Sequence, residues 1–216
     1  VQENGVAACL KHFALNNQEK MRASVNVSVD DRALYEIYFP AFKAAIQKGG
    51  AWAVMSAYNQ YRGDYCSQNR ILLKGVLRHE WGFDGVVLSD WGGVHGTQGA
   101  VFGGLDMEFG TGTDGLFRNT KNAYDNYWLA SPYLDGLRMG EYSEEELDEK
   151  AGNVLRLIFR TAMNTRKPFG SMNSPRHSAD ARTIAENGIV LLKNDGGLLP
   201  VAPSARKIVV VGENAI

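Results

Sequence analysis

Three short apolar stretches in this sequence each end in residues that can do chemistry: Lys11-His12, Met55-Ser56-Ala57-Tyr58-Asn59 and Ser89-Asp90-Trp91. Asp90 is a candidate carboxylate nucleophile or general base, and equally a turn residue of the kind that follows many strands. Trp91 offers a flat apolar face that stacks on a sugar ring or fills a core. Lys11 at the end of a buried strand is costly unless it is paired or faces a cleft. There it would serve as a charged donor to a polar ligand or as a Schiff-base amine. His12 suits a base, a metal ligand or a satisfied core histidine. No HxH, HExxH or CxxC spacing is present, so no metal is expected. Arg22 follows the polar run Asn16-Asn17-Gln18-Glu19. It is either a fork for ligand hydroxyls or a solvated arginine with weak ion pairs. His79, His95 and His177 are isolated and are assigned to surface or loop.

The elements that would position these residues read as alternating strands and helices. Residues 6–13, 51–57 and 85–89 are apolar runs of strand length. Residues 31–48 place Leu34, Ile37, Tyr38, Ala41, Phe42, Ala45 and Ile46 at helical spacing, with Pro40 expected to kink or split the helix and Gly49-Gly50 to end it. A second helix is expected from a Ser67 cap to about Trp81, with Leu72, Leu73, Val76 and Leu77 inward and Gly82 closing it. A short strand is expected at Leu105-Asp106-Met107. This βαβ order predicts a parallel sheet, in a barrel or a doubly wound fold. Ligands in such folds bind beyond the carboxyl ends of the strands, which puts all three loaded ends at one cleft.

Farther along, residues 119–139 read as helical with an interruption at Ser131-Pro132. Ser143 to Glu146 is a capping box opening a long helix with Leu147, Ala151, Val154, Leu155, Ile158 and Ala162 inward. The expected domains are 1–163, a linker over 164–178, and a second α/β unit over 179–216. That unit would begin with a helix at 179–187 and strands at 188–193 and 207–211. The chain starts without Met and stops just after the last of these strands. A half-built parallel sheet leaves an edge bare, so the chain is expected to be a piece of a longer protein or to be completed by another chain.

Composition narrows the classes. Lys+Arg 23 against Asp+Glu 24 leaves a net charge of −1, no footprint for nucleic acid or an anionic membrane surface. No apolar run is long enough to span a bilayer. Cys9 and Cys66 do not make a disulfide framework and read as buried thiols. No GxxxxGK[ST] is present, and Val211-Gly212-Glu213-Asn214 lacks the further glycines of a dinucleotide loop. No cofactor is expected.

The stretches VAACLKHFALNNQEKMR, VMSAYNQYRGDYCSQN, LRHEWGFDGVVLSDW and AENGIVLLKNDGGLLP, in that order, strongly resemble family 3 glycoside hydrolases of the β-glucosidase type. The resemblance implies the later part of a (β/α)8 TIM-barrel-like domain followed by the start of an α/β sandwich domain. It implies a retaining β-glycosidase that removes terminal β-D-glucosyl residues from β-linked glucosides or gluco-oligosaccharides. By position, Asp90 matches the nucleophile. Lys11, His12 and Arg22 match residues that hold sugar hydroxyls. Met55 and Tyr58 are expected among the substrate-binding residues, Tyr58 matching the tyrosine near the nucleophile, and Trp91 matches the subsite tryptophan. A second carboxylic acid, about 5–5.5 Å from the nucleophile in retaining enzymes, would come from the second domain beyond GIVLLKN, from the rest of the polypeptide or a complementary fragment. The hexosaminidase branch carries its catalytic histidine after a KHFPG-type motif, and Ala14 follows KHF here. The resemblance favours a periplasmic or secreted location. The competing readings are a non-catalytic carbohydrate-binding relative, an inactive isolated fragment, and a lyase using Lys11 as a Schiff base.

Overall fold

The computed structural model describes residues 1–110, 127–166, 170–213 and 215. It divides into two compact units, Val1–Pro168 and Phe169–Ile216. The first unit is built on three parallel strands, β1 (Cys9–Phe13), β3 (Ala53–Ser56) and β6 (Val86–Leu88), in the order β1-β3-β6. Leu10 pairs with Val54, and Val54 with Val87. All three strands are shorter than the apolar runs that announce them. The expected strand at 105–107 is reduced to one parallel bridge, Met107 to Leu88. The Val87 N–H, which a further strand would pair with a backbone carbonyl, goes to the Asp106 carboxylate at 2.7 Å. A second, small sheet joins β2 (Asn26–Val27), β4 (Gln60–Tyr61) and β5 (Asp64–Tyr65).

Parallel strands need crossovers, and here helices supply them. Pro40 does split the first helical segment. A turn at Asp31–Ala33 widens to π-type winding over Leu34–Tyr38, and α1 (Pro40–Gln47) starts afresh with proline in its first turn. The wide turn, closed by Phe39 N–H to Leu34 O, adds a residue and rotates the buried face. Phe39 is therefore buried, while Ile37 and Ala41, expected inward, are exposed. α2 (Ile71–Glu80), also wound in π-type turns, buries Leu72, Leu73, Val76 and Leu77 as its spacing predicts, and Gly82 follows it at φ +67°. Its N-terminus is satisfied by Asn69, whose Oδ1 accepts from Leu72 N–H at 3.0 Å. Ser67 is not the cap, because its hydroxyl donates elsewhere, to the Gly93 carbonyl.

Side chains alternate across the sheet. Val54, Val87, Leu10 and Phe13 pack with α1 and α2 in the main cluster, whose centre is the aromatic group Phe13, Phe39 and Trp81. Ala53, Met55, Val86 and Leu88 form a smaller cluster with Met107, Phe109, Val154 and Leu157. α3 (Thr97–Gly103) follows the loop after β6. α4 spans Ser131–Arg138, so Ser131-Pro132 opens a helix rather than breaking one; proline at the first turn loses no hydrogen bond. The part of the expected 119–139 helix before residue 127 lies outside the described residues.

α5 (Glu144–Arg160) carries the expected capping box, Ser143 with Glu146. Its inward face differs from expectation. Lys150 and Asn153 are buried, Val154 and Leu157 touch the small cluster, and Leu147, Ala151, Leu155, Ile158 and Ala162 are exposed. The cause is polar. Lys150 Nζ donates to the Val101 carbonyl at 3.1 Å, and Asn153 Nδ2 donates to Asp106 Oδ1 at 2.9 Å. Asp106 also takes Arg78 Nη2 at 2.6 Å, deep under the helix. Burial pushes the Asp106 carboxyl up, against the opposing pull of Arg78, the Val87 N–H, Asn153 and Lys150.

In the second unit, α6 (Pro175–Gly188) begins four residues before the expected 179, because Ser174 caps the His177 N–H and Pro175 fits the first turn. Residues 188–193 and 207–211 are not strands. A strand exists only with a neighbour to exchange backbone hydrogen bonds, and among the described residues none pairs with them. Both cysteines are free thiols. Cys66 is buried, but Cys9 is exposed on edge strand β1.

Candidate active site

The chain leaves β6 through Ser89 and turns sharply at Asp90. Gly93 N–H donates back to the Asp90 carbonyl at 3.0 Å, and Gly92 takes φ +68°, a conformation that favours glycine. A Cβ on Gly93 would stand 3.2 Å from the Asp90 carbonyl oxygen and 3.5 Å from the Tyr58 ring. The two glycines therefore let the backbone fold tightly around a carboxylate.

Asp90 is only 8% exposed. Its Oδ1 accepts from Trp91 N–H at 2.8 Å, and its Oδ2 lies 3.3 Å from His12 Nε2. The ends of β1 and β6 thus meet across the strand between them. Tyr58, two residues beyond β3, completes the group. Its hydroxyl donates to the Trp91 carbonyl at 2.8 Å. Burial first, then the charge of Asp90 and a hydrogen bond to it, push the Tyr58 phenol above its ordinary value, against the Arg22 cation.

Arg22 reaches this group through Tyr58. Its guanidinium lies 5.1 Å from the centre of the Tyr58 ring and pairs with Glu19 at 3.0 Å. His12, rather than Lys11 or Arg22, is the cationic-type side chain drawn up to Asp90. Lys11 stands exposed on β1. Met55 pairs in register with Leu88 and sits half-buried in the smaller apolar cluster. Trp91 is 56% exposed, a large ring held open to solvent.

The sequence did not reveal what supports that ring. Phe109 packs against Trp91 with centroids 5.0 Å apart, and its N–H is held by Ser89 Oγ at 2.9 Å. The signal would have been the aromatic residue two positions after Met107, on the bridge beside β6. His79, His95 and His177 are exposed, as expected for surface or loop, although His95 stacks on Tyr65. A cavity of about 490 Å³ lies at the opposite ends of β3 and β6, between Trp52, Trp81, Asp84 and Arg160. Among the described residues, no group of three metal-ligating side chains occurs, and no helix is long and apolar enough to cross a membrane.

Chemically, the arrangement offers a nearly buried carboxylate held by a backbone N–H and an imidazole, with a phenol beside it. A flat aromatic platform stands beside it. That is suited to attack on an electrophilic carbon of a hydroxyl-rich ring.

Comparison with known proteins gives a consistent result. The model of the glycosyl hydrolase family 3 N terminal domain matches residues 1–157. The β-glucosidase BoGH3A of Bacteroides ovatus is 51% identical over 221 residues, covering 100% of this chain and 30% of the relative. Thermostable β-glucosidase B of Acetivibrio thermocellus is 40% identical over 94% of this chain and 25% of its own length. An exo-α-(1→6)-L-arabinopyranosidase of Bifidobacterium longum is 37% identical over 100% of this chain and 28% of its own length. Among solved structures, β-glucosidase 3B from Thermotoga neapolitana in complex with glycerol superposes with a TM-score of 0.71 at 37% identity, covering 91% of this chain and 27% of that one. The chain spans less than a third of the length of these relatives.

Proposed function

The chain belongs to glycosyl hydrolase family 3, and from that premise we propose that it carries the nucleophile side of a retaining β-glycosidase site. Asp90 attacks the anomeric carbon of a terminal β-glucosyl residue and forms a covalent glycosyl-enzyme. A second carboxylic acid, supplied by the longer polypeptide, protonates the departing oxygen and then activates the water that releases the sugar. His12, Lys11 and Arg22 hold hydroxyls of the sugar. Tyr58 stands beside Asp90 with its hydroxyl given to the Trp91 carbonyl, and Trp91 with Phe109 forms the platform at the mouth.

The observation that carries this reading is the convergence on Asp90. A carboxylate only 8% exposed has His12 Nε2 at 3.3 Å, Trp91 N–H at 2.8 Å and Tyr58 against it. In this reading the first unit is the later part of a (β/α)8 barrel-like domain. Its three parallel strands and helical crossovers support that assignment. Residues beyond the linker open a second α/β domain. Glucose is the preferred terminal sugar, since most of the relatives described are named β-glucosidases. The arabinopyranosidase relative makes an arabinopyranoside the natural competitor to assay beside it.

The stereochemistry of the first product tests the mechanism. When hydrolysis of a β-glucoside by the full-length protein is followed by proton NMR, β-glucose is expected to appear first, with α-glucose growing in only by mutarotation. Initial release of α-glucose would mean single displacement and would remove Asp90 from the nucleophile role.

A further inference from the structure

Four side chains just beyond β3 are fully buried and have no part in the chemistry above: Asn59, Cys66, Ser67 and Asn69. Polar groups in such positions are costly unless partnered. Here the partners lie on the loops that carry the site. Asn59 Nδ2 and Cys66 Sγ both donate to the Ala14 carbonyl, at 3.1 and 3.4 Å, two residues beyond His12. Ser67 Oγ donates to the Gly93 carbonyl. Gln68 Oε1 accepts from His95 N–H at 2.8 Å, and the Tyr65 ring stacks on the His95 ring with centroids 3.6 Å apart. Asn69 fastens the same segment to its own hairpin by donating to the Tyr61 carbonyl at 2.7 Å, and to α2 by accepting from Leu72 N–H.

We propose that residues 59–69 are a brace that sets the position of the nucleophile loop, with Ser67 and Gln68 as positioning residues for Asp90 and Trp91. The loop needs one. Residues 91–96 hold glycine at 92, 93 and 96, and no regular element holds them. Such a backbone has little preference of its own. Gly93 closes the turn onto the Asp90 carbonyl, so its own carbonyl is the nearest handle on the carboxylate. Ser67 grips that handle from a fully buried site, and Gln68 grips the backbone two residues on. The grip is itself seated against α3. A Cβ on Gly99 would fall 1.9 Å from Gln68 Nε2, and one on Gly103 would fall 2.4 Å from the Gln68 carbonyl oxygen. At Gly103, where the clash would be with backbone, only glycine lets the brace come so close. Positioning from rigid, buried support of this kind is what precise sites require.

This inference rests on Asp90 being the nucleophile, and the test separates the two claims. Ser67→Ala, Ser67→Thr, Gln68→Leu and Asp90→Gly are made in the full-length protein and assayed on an aryl β-glucoside, with a thermal melt of each. A displacement of about 1 Å in a reacting group costs on the order of 100-fold. Ser67→Ala is therefore expected to lower kcat by roughly 10- to 100-fold, with KM little changed and a melting temperature lowered modestly by the lost buried hydrogen bond but still well above the assay temperature. Ser67→Thr, which keeps the hydroxyl, restores most of the loss. If Ser67→Ala does not fold, Gln68→Leu at its half-buried position carries the same kcat-against-KM readout. An unchanged kcat in a folded variant, or a kcat loss matched by loss of folded protein, overturns the brace. If Asp90→Gly also retains activity, the failure belongs to the nucleophile assignment instead.

Discussion

Replacing Asp90 with glycine is expected to lower turnover of an aryl β-glucoside by roughly 10⁴-fold or more, the scale on which removal of a catalytic nucleophile acts, while leaving the protein folded. The structure explains both halves of that expectation. Asp90 contributes little to the core. Its carboxylate bonds to Trp91 N–H and His12 at the end of the sheet, and the apolar side chains behind it belong to Val87 and Leu88. Glycine is also tolerated by the turn, which already uses Gly92 and Gly93. Far-ultraviolet circular dichroism and a thermal melt should match wild type. Activity within about tenfold of wild type would be too small a loss for a nucleophile and would return Asp90 to the role of a turn residue.

Asp106→Ala should be the most damaging substitution for stability, costing about 3–5 kcal/mol, the range for removing one partner of a buried ion pair. The Asp106 side chain is 3% exposed and Arg78 14%, so solvent screening offers little relief. The change strips Arg78 Nη2, Val87 N–H and Asn153 Nδ2 of their acceptor at once. It also removes the counter-charge facing Lys150, whose ammonium burial has already pulled down to about 8. Arg78 keeps the Phe83 and Gly85 carbonyls on its other nitrogen, which holds the loss to this range. Asp106→Asn retains one acceptor oxygen and should lose less. A urea titration reporting on the first unit checks both. A loss under about 1 kcal/mol, the size of an exposed pair, would show that the network is not what joins α5 to the sheet.

That network also shows where sequence reading stopped. Hydropathy placed Leu147, Leu155 and Ile158 inward on α5, because leucine and isoleucine usually are. The helix instead turns Lys150 and Asn153 toward Val101 and Asp106, partners 49 and 47 residues away that no local pattern connects. Ile37 failed for a different reason: one added residue in a π-type turn carried its side chain off the buried face. Residues 188–193 and 207–211 have strand composition, yet strand formation depends on a partner backbone, which composition does not contain. What could be read was whatever is local. The ends of β1, β3 and β6 were marked by apolar runs that stop at polar residues, and His12, Tyr58 and Asp90 sit together as those ends require. Ser67 passed for a helix cap because serine before an apolar run usually is one. Its real partner, Gly93, lies 26 residues on.

The most direct measurement is to trap the intermediate. The full-length protein is incubated with an activated 2-deoxy-2-fluoro-β-glucoside, whose fluorine slows both steps through their oxocarbenium-like transition states while the good leaving group keeps attachment faster than release. Peptide mapping by mass spectrometry then locates the label. The account predicts one fluoroglucosyl group per active site, esterified to Asp90 in the peptide that contains Leu88-Ser89-Asp90-Trp91. A label on any other carboxylate, or hydrolysis that proceeds with no covalent adduct at all, would contradict it.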